Sequence, residues 1–344
     1  MKLRMIWWFK KIRWVFLVTG MLLTVLGCST PCQTIPMHNF PSVSRMGISG
    51  MVRVGDDVFL IVTDEKYTPG AQPSLGFLRV DEDGYRVQSV KIQGLAPTEM
   101  PNDLEAVCAV HGKPGNYLLV ESGFKNGAFG RIFHVTLAFT GSDATATVAS
   151  TFQPRSMLET WKDGSTPSAE QIEGAGCVSG PGDHVYLILG LRGSAKHPAV
   201  LQWGEIAGWE TGRPSFIQQG EYSVKVNPLG DRAIGDLFLE PSGQDSWRLW
   251  TSATSDPGDD GPFRSKVYSP GIWAYEPGIN GYTFQEESSL ETWMFEGIKV
   301  EAIAEPASRL PSSRFSVGTD DEHYGGIWRP VPKNVSEVSI SGTP

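Results

Sequence analysis

Five copies of one short motif divide this chain and limit what it can fold into. An acid stands among small and apolar residues at the head of a short apolar run in "DLEAVCAV" from 103, "QIEGAGCV" from 171, "IGDLFLEP" from 234 and "KVEAIAEP" from 299. "GISGMVRV", from 47, is the same motif with serine in the place of the acid. The equivalent positions are Ser49, Glu105, Glu173, Asp236 and Glu301, spaced 56, 68, 63 and 65 residues apart. Repeats of this kind mark structural units that pack on one another in series.

The stretches after each copy are regular too. A turn rich in Gly, Pro, Asp and Ser comes first: "GDD", "HGKPG", "SGPGDH", "PSGQDS", "PASRLPSS". These residues break strands. A second apolar run comes next: "VFLIVTD", "YLLVESG", "VYLILGL", "RLWTSAT", "FSVGTDD". A third opens on a small residue and holds a bulky one, as in "LGFLRV" and "GIWAYE", and a fourth is weaker, as in "VQSVKI" and "YTFQEES". Each run has strand length and strand composition. Beyond the N-terminal leader, the chain shows no helical period. The expected fold is therefore all-β: a single β-propeller of five four-stranded blades, with a sixth blade inside the longer inserts as the alternative. Blade five lacks an obvious fourth strand; residues 34–40 or 335–340 are candidates to supply it.

In such a blade the innermost strand starts at one end of the central channel, and the second strand returns to that end. Glu105, Glu173, Asp236 and Glu301 should therefore ring the top of the channel. The ends of the second strands add Asp64, Glu121, Arg192 and the cluster Asp320, Asp321, Glu322 and His323. Converging carboxylates repel one another unless they are protonated, solvated, hydrogen-bonded or bound to a cation. Calcium is the natural cation, because it takes six to eight oxygen ligands. Glu105, Glu173, Asp236 and Glu301 are the expected metal ligands. In the structural alternative, each acid accepts backbone N–H groups of the next blade and sets its register.

"DLEAV", "QIEGAG", "KVEAIA" and "SVGTDDEHYGGIWR" resemble the bacterial propellers grouped as the esterase-like domain of phytases, over roughly 45–333. In the related β-propeller phytases, calcium ions on an acidic top face bind phosphate and activate water. The resemblance implies such roles for Glu105, Glu173, Glu301 and Asp320. Two of the three Glu are followed by Ala rather than Gly, and the longer acidic motif of true phytases is missing. Both departures tell against phytate hydrolysis.

No Gly-x-Ser-x-Gly elbow, His-Glu-x-x-His pair or phosphate-binding Gly-rich loop is found. If the chain is a hydrolase, the catalytic candidates are Glu301, Asp320 and His323, the one histidine placed beside the acid ring. His111 and His184 fall in bottom turns, where solvation is expected. Trp161 and Trp293 each end a copy of "LETW" in a top connection. With Asp64, Glu121 and Arg192 they are candidate ligand contacts, against the alternative of loops packed on their own blades. Cys108 and Cys177 lie three and four residues beyond their acids. That difference places them on opposite faces of their strands, so no bridge between them is expected.

The N-terminus reads as a processing segment. "MKLRMIWWFKKIR" carries five basic residues and no acid, and "WVFLVTGMLLTVL" is thirteen residues of mostly apolar character. That suits a signal peptide and is short for a membrane span of about 17–25 residues. "VLGCS" resembles the lipobox of bacterial lipoproteins, which implies cleavage after 27 and a diacylated Cys28. Ser29 resembles the sorting signal for the outer membrane, so the protein is expected on the cell envelope facing the periplasm. The expected layout is leader 1–27, tether 28–44 and propeller 45–344. Loss of the leader leaves 24 basic against 38 acidic residues, a net charge of −14. Such a body repels nucleic acid. Cys28, Cys32, Cys108 and Cys177 are too few to staple a domain of this size.

The first functional reading is a lipid-anchored envelope propeller. It binds a small anionic ligand or an envelope protein through an acidic, cation-loaded top face. The alternatives are a calcium-dependent phosphoester or ester hydrolase, and an envelope assembly scaffold.

Overall fold

The computed structural model describes residues 46–65, 74–123, 130–140, 143–154, 171–194, 196–224, 229, 232–287 and 291–333. The leader, Cys28, Cys32, Trp161 and the segments 34–40 and 335–340 lie outside the described residues.

The chain is all-β and forms five blades. Blade one is β1 (Gly50–Gly55), β2 (Val58–Val62), β3 (Leu75–Asp81) and β4 (Gly84–Ser89), paired in that order. Then β5 (Lys91–Gln93) crosses to blade two and pairs parallel with the outer strand there. Blade two continues with β6 (Leu104–Ala109), β7 (Asn116–Glu121), β8 (Ile132–Thr140) and β9 (Asp143–Phe152). Blade three is β10 (Ile172–Ser179), β11 (Val185–Leu191), β12 (Ala199–Ala207) and β13 (Ser215–Val224). Blade four holds β14 (Leu237–Gly243), β15 (Ser246–Ser255), β16 (Arg264–Glu276), β17 (Gly281–Glu286) and β18 (Thr292–Glu296). Its third strand is long enough that β17 and β18 pair with different stretches of it. Blade five is β19 (Val300–Ala304), β20 (Ser313–Thr319) and β21 (Trp328–Pro332).

The five first strands pack on one another in a cycle: β1 on β6, β6 on β10, β10 on β14, β14 on β19 and β19 on β1. Each pair of neighbouring blades shares its own apolar cluster. This explains the unbroken apolar runs of the inner strands, which are covered on both faces. Trp273 and Trp328, in the equivalent third-strand slot, are fully buried in two of these clusters.

Three strands of blade five are described, and the edge of the third is chemically blunted. Arg329 and Val331 pair with Val317 and Phe315, so Trp328, Pro330 and Pro332 turn their backbone nitrogens outward. Proline has no N–H to donate. A strand paired at this edge would find carbonyl acceptors but, apart from Trp328, no N–H donors.

Cys108 and Cys177 form a disulfide, contrary to the expectation from their offsets. The offsets did place them on opposite faces of their own strands. In a ring of blades, however, one face of each blade meets the opposite face of the next. Opposite faces on successive inner strands are what bring two side chains together, and both cysteines lie in the cluster between blades two and three.

Candidate functional site: the mouth of the channel

The repeated glutamates have a shared backbone origin. In β6, Leu104 pairs with Glu121 and Ala106 with Val120, leaving Glu105 as the extra residue of a β-bulge. The same shift brackets Glu173 between Ile172 and Gly174, and Glu301 between Val300 and Ala302. Side chains of a regular strand alternate between its two faces, and in a blade both faces meet neighbouring blades. A bulge takes one residue out of that alternation and re-aims it. The flanking residues then point to opposite faces: Val300 joins the cluster toward blade four and Ala302 the cluster toward blade one. A large apolar residue, Glu and a small residue is the written form of this bulge.

Among the described residues, two cavities of different character lie along the channel. The lower one, of about 30 Å³, is walled by residues of all five inner strands, among them Met51, Val107, Ala175, Leu237 and Ile303, and by the disulfide and His111. His111 is not the solvated turn residue expected. It is half-buried, stacks on Trp247 at 4.6 Å, and burial lowers its pKa. The upper cavity has a volume of about 200 Å³. Its described lining is Asp64, Asp103, Glu105, Gln171, Arg192, Arg232, Lys299, Glu301, Asp320 and Glu322, all charged but for one amide.

The acids and bases of this mouth are sorted in space. On the side of blades three to five the charges are paired. Glu173 accepts from Arg192 at 2.5 Å, and Glu301 from Lys299 at 3.0 Å and Arg232 at 3.3 Å. Arg232 also meets Asp256 at 2.8 Å, and Lys299 meets Glu322. Burial acts to lower the pKa of the Lys299 ammonium, but Glu301, Asp320 and Glu322 overcome this, so the net shift is upward. On the side of blades one and two the acids stand together. Carboxylate oxygens of Asp64, Asp103 and Glu105 lie within 4.8 Å of one another. Asp103 accepts from the Ser122 hydroxyl. Glu105 is 8% exposed and has no hydrogen bond or ion pair among the described residues. Burial, and then the charges of Glu173, Asp103, Asp64 and Glu301, push its carboxyl well above the usual range. Asp320 is pushed up to about 7 by burial and the charge of Glu301, and Asp321 to about 6 by burial.

Several expected site residues lie elsewhere. The Asp236 carboxylate is fully engaged by backbone: it accepts from the amides of Leu237 and of Ile303 in the next blade, both at 2.7 Å. It fills the register-setting role rather than lining the cavity. Glu121 is buried against Arg131 at 2.5 Å and accepts from the Asn102 amide. Trp293, on β18, packs in the core against Trp250 and Phe315, away from the mouth. His323 is exposed and reaches Asp260 at 3.2 Å, outside the described lining. His184, exposed as expected, contacts Glu205 at 2.6 Å. Conversely, the sequence reading passed over Asp103, Gln171 and Lys299. All three stand two residues before a repeated Glu, a polar residue where the flanking run is apolar, and that spacing was the available signal. Arg232, in the approach to blade four, carried no repeat signal.

No family model matches the chain, and no curated protein matches it. The resemblance to the esterase-like domain of phytases therefore has no family model behind it. Among solved structures, the chain is similar to a bifunctional GH43-CE of Bacteroides eggerthii, at 16% identity and a TM-score of 0.44. That alignment covers 83% of this chain and 33% of the other, so this chain spans about a third of that protein. It is also similar to a chain of RAG in complex with one melted and one unmelted RSS, at 10% identity, TM-score 0.38 and coverage of 88% and 99%. A third is the Dos1 propeller, at 10% identity, TM-score 0.33 and coverage of 80% and 67%. Likeness at these scores carries no argument about function.

Proposed function

We propose that this protein is a binding propeller of the cell envelope, tethered by lipid at Cys28, whose top-face cavity holds a divalent cation and, with it, a small ligand. The observation that carries the reading is Glu105. It is a buried carboxyl without a partner among the described residues, facing a cavity beside Asp64 and Asp103. An unpaired buried polar group costs about 1–3 kcal/mol, and more when charged. A hard cation relieves the repulsion among three carboxylates and removes that cost. An all-oxygen donor set suits calcium or a similar ion. Asp64, Asp103 and Glu105 would hold it, and once bound it would offer a positive centre to an oxygen of the ligand. Asp320 adds a fourth carboxylate to the lining. The paired charges of blades three to five, Arg192 with Glu173 and Lys299 with Glu301, fix the opposite wall.

Calorimetric titration of the mature protein with calcium and magnesium tests this. Binding stabilises only the folded state, so calcium should also raise the melting temperature and a chelator should lower it. In Glu105→Gln the calcium-induced rise should vanish, while the metal-free protein melts roughly 2–4 °C higher as the buried carboxyl is lost. No heat of binding for either ion, together with no chelator effect, rules the cation out.

A further inference from the structure

Three polar groups of the upper cavity have no partner among the described residues, and they stand together. Glu105, on β6, contributes its whole carboxyl. Gln171, just before β10, is 7% exposed, and no contact of its side-chain amide is found. Arg192, at the end of β11, gives Nε and Nη2 to Glu173, leaving Nη1 unused. Gln171 and Arg192 are joined through backbone, Arg192 N–H to Gln171 carbonyl at 2.9 Å. Glu105, Gln171 and Arg192 all line the same cavity.

The set mixes donors and acceptors. Arg192 Nη1 and the Gln171 NH₂ only donate, whereas the Gln171 carbonyl and an ionised Glu105 only accept. A ligand that answers all of them must both donate and accept at closely spaced atoms. Hydroxyl groups do this, and adjacent hydroxyls do it at the spacing of neighbouring side chains. No described residue of the wall is apolar or aromatic, so nothing rewards an apolar ligand. Among the described lining residues, six acids stand against three bases, which disfavours a free anion. A volume of about 200 Å³ holds roughly six waters and is far more than a bare ion fills.

We infer that the upper cavity takes a small, neutral, polyhydroxylated ligand of monosaccharide size, gripped by Glu105, Gln171 and Nη1 of Arg192. This rests on the cavity being the ligand site proposed above, and not on the cation being present. The Gln171 amide selects for hydroxyls, because replacing a hydroxyl by hydrogen strands its buried polar atoms.

The test titrates the full mature protein with neutral aldoses (glucose, galactose, mannose, arabinose), followed by calorimetry and amide NMR shifts. Glycine betaine, alanine and putrescine form a second panel, and both panels are run with calcium and with chelator. Binding of at least one aldose, weakened about tenfold or more in Gln171→Ala, supports the inference. Gln171→Ala removes a side chain without contacts and should melt close to wild type. Binding of betaine, alanine or putrescine with no aldose bound overturns it. Calcium binding with no aldose bound also overturns it and leaves the cation reading standing. Aldose binding that is equal in calcium and chelator, with no heat of calcium binding, keeps this inference and sinks the cation.

Discussion

At the residue scale, the mouth of the channel is a set of buried charges held in poor solvation, and its titration should be visible in stability. Asp320 and Asp321 ordinarily titrate near 3.8; in the folded protein they are raised to about 7 and about 6. Between 3.8 and 7 the folded state thus carries more protons than the unfolded one. Stability linked to these groups is fully present below pH 3.8 and falls as pH rises through that window. In chelator, melting temperature should decline across it, and Asp320→Asn, which keeps an acceptor for the Glu322 amide, should flatten the decline. A wild-type curve that rises across the window would contradict the assignment. Lys299 makes the opposite point. It is 2% exposed and contacts Glu301 and Glu322. Lys299→Met leaves Glu301 with Arg232 alone and should destabilise by about 3–5 kcal/mol in urea melts. The double variant with Glu301→Gln should recover part of that loss, because the stranded charge is gone.

At the element scale, the bulge and the bridge both follow from strand parity. Glu105, Glu173 and Glu301 reach the channel because the backbone slips by one residue at each. Reading the motif as a regular strand predicted the right end of the channel without explaining how an edge-on side chain gets there. The same parity brings the cysteines together, because opposite faces of successive blades meet. Cys108 and Cys177 close a segment with a sequence separation of 69, and the chain-entropy model gives such a cross-link roughly 4 kcal/mol. Replacing both by Ala should lower the urea midpoint and raise the m-value, because the uncrosslinked denatured chain is less compact. A midpoint equal to wild type would mean that the interface between blades two and three does not depend on the bridge. A disulfide of this kind persists in an oxidising compartment.

At the scale of the whole molecule, the ring gives the two ends of one channel different solvents. Apolar and small residues with the disulfide close the lower end, and charged residues open the upper one. Among the described residues, the lower cavity offers a ligand only His111 and Glu305 as titratable partners, whereas the upper one is lined almost wholly by charge. The lipid tether is a separate prediction. Cys28→Ser should move the protein out of the membrane fraction, and mass spectrometry of wild type should find a diacylated Cys28 as the first residue. An intact Met1 in membrane-bound protein would refute that.

Periodicity alone determined the all-β class, the five units and the end of the channel where the repeated acids gather. These depend on local alternation and on turns, which are written residue by residue. It could not determine which acids face the cavity. Asp236 and Glu105 occupy equivalent positions, yet one is fully taken by the backbone amides of Leu237 and of Ile303 in the next blade, and the other has no partner among the described residues. Nor could it place Arg232 beside Glu301, 69 positions away. Pairings of that kind are made between blades, across distances in sequence that carry no pattern, and only closure of the ring brings the partners together.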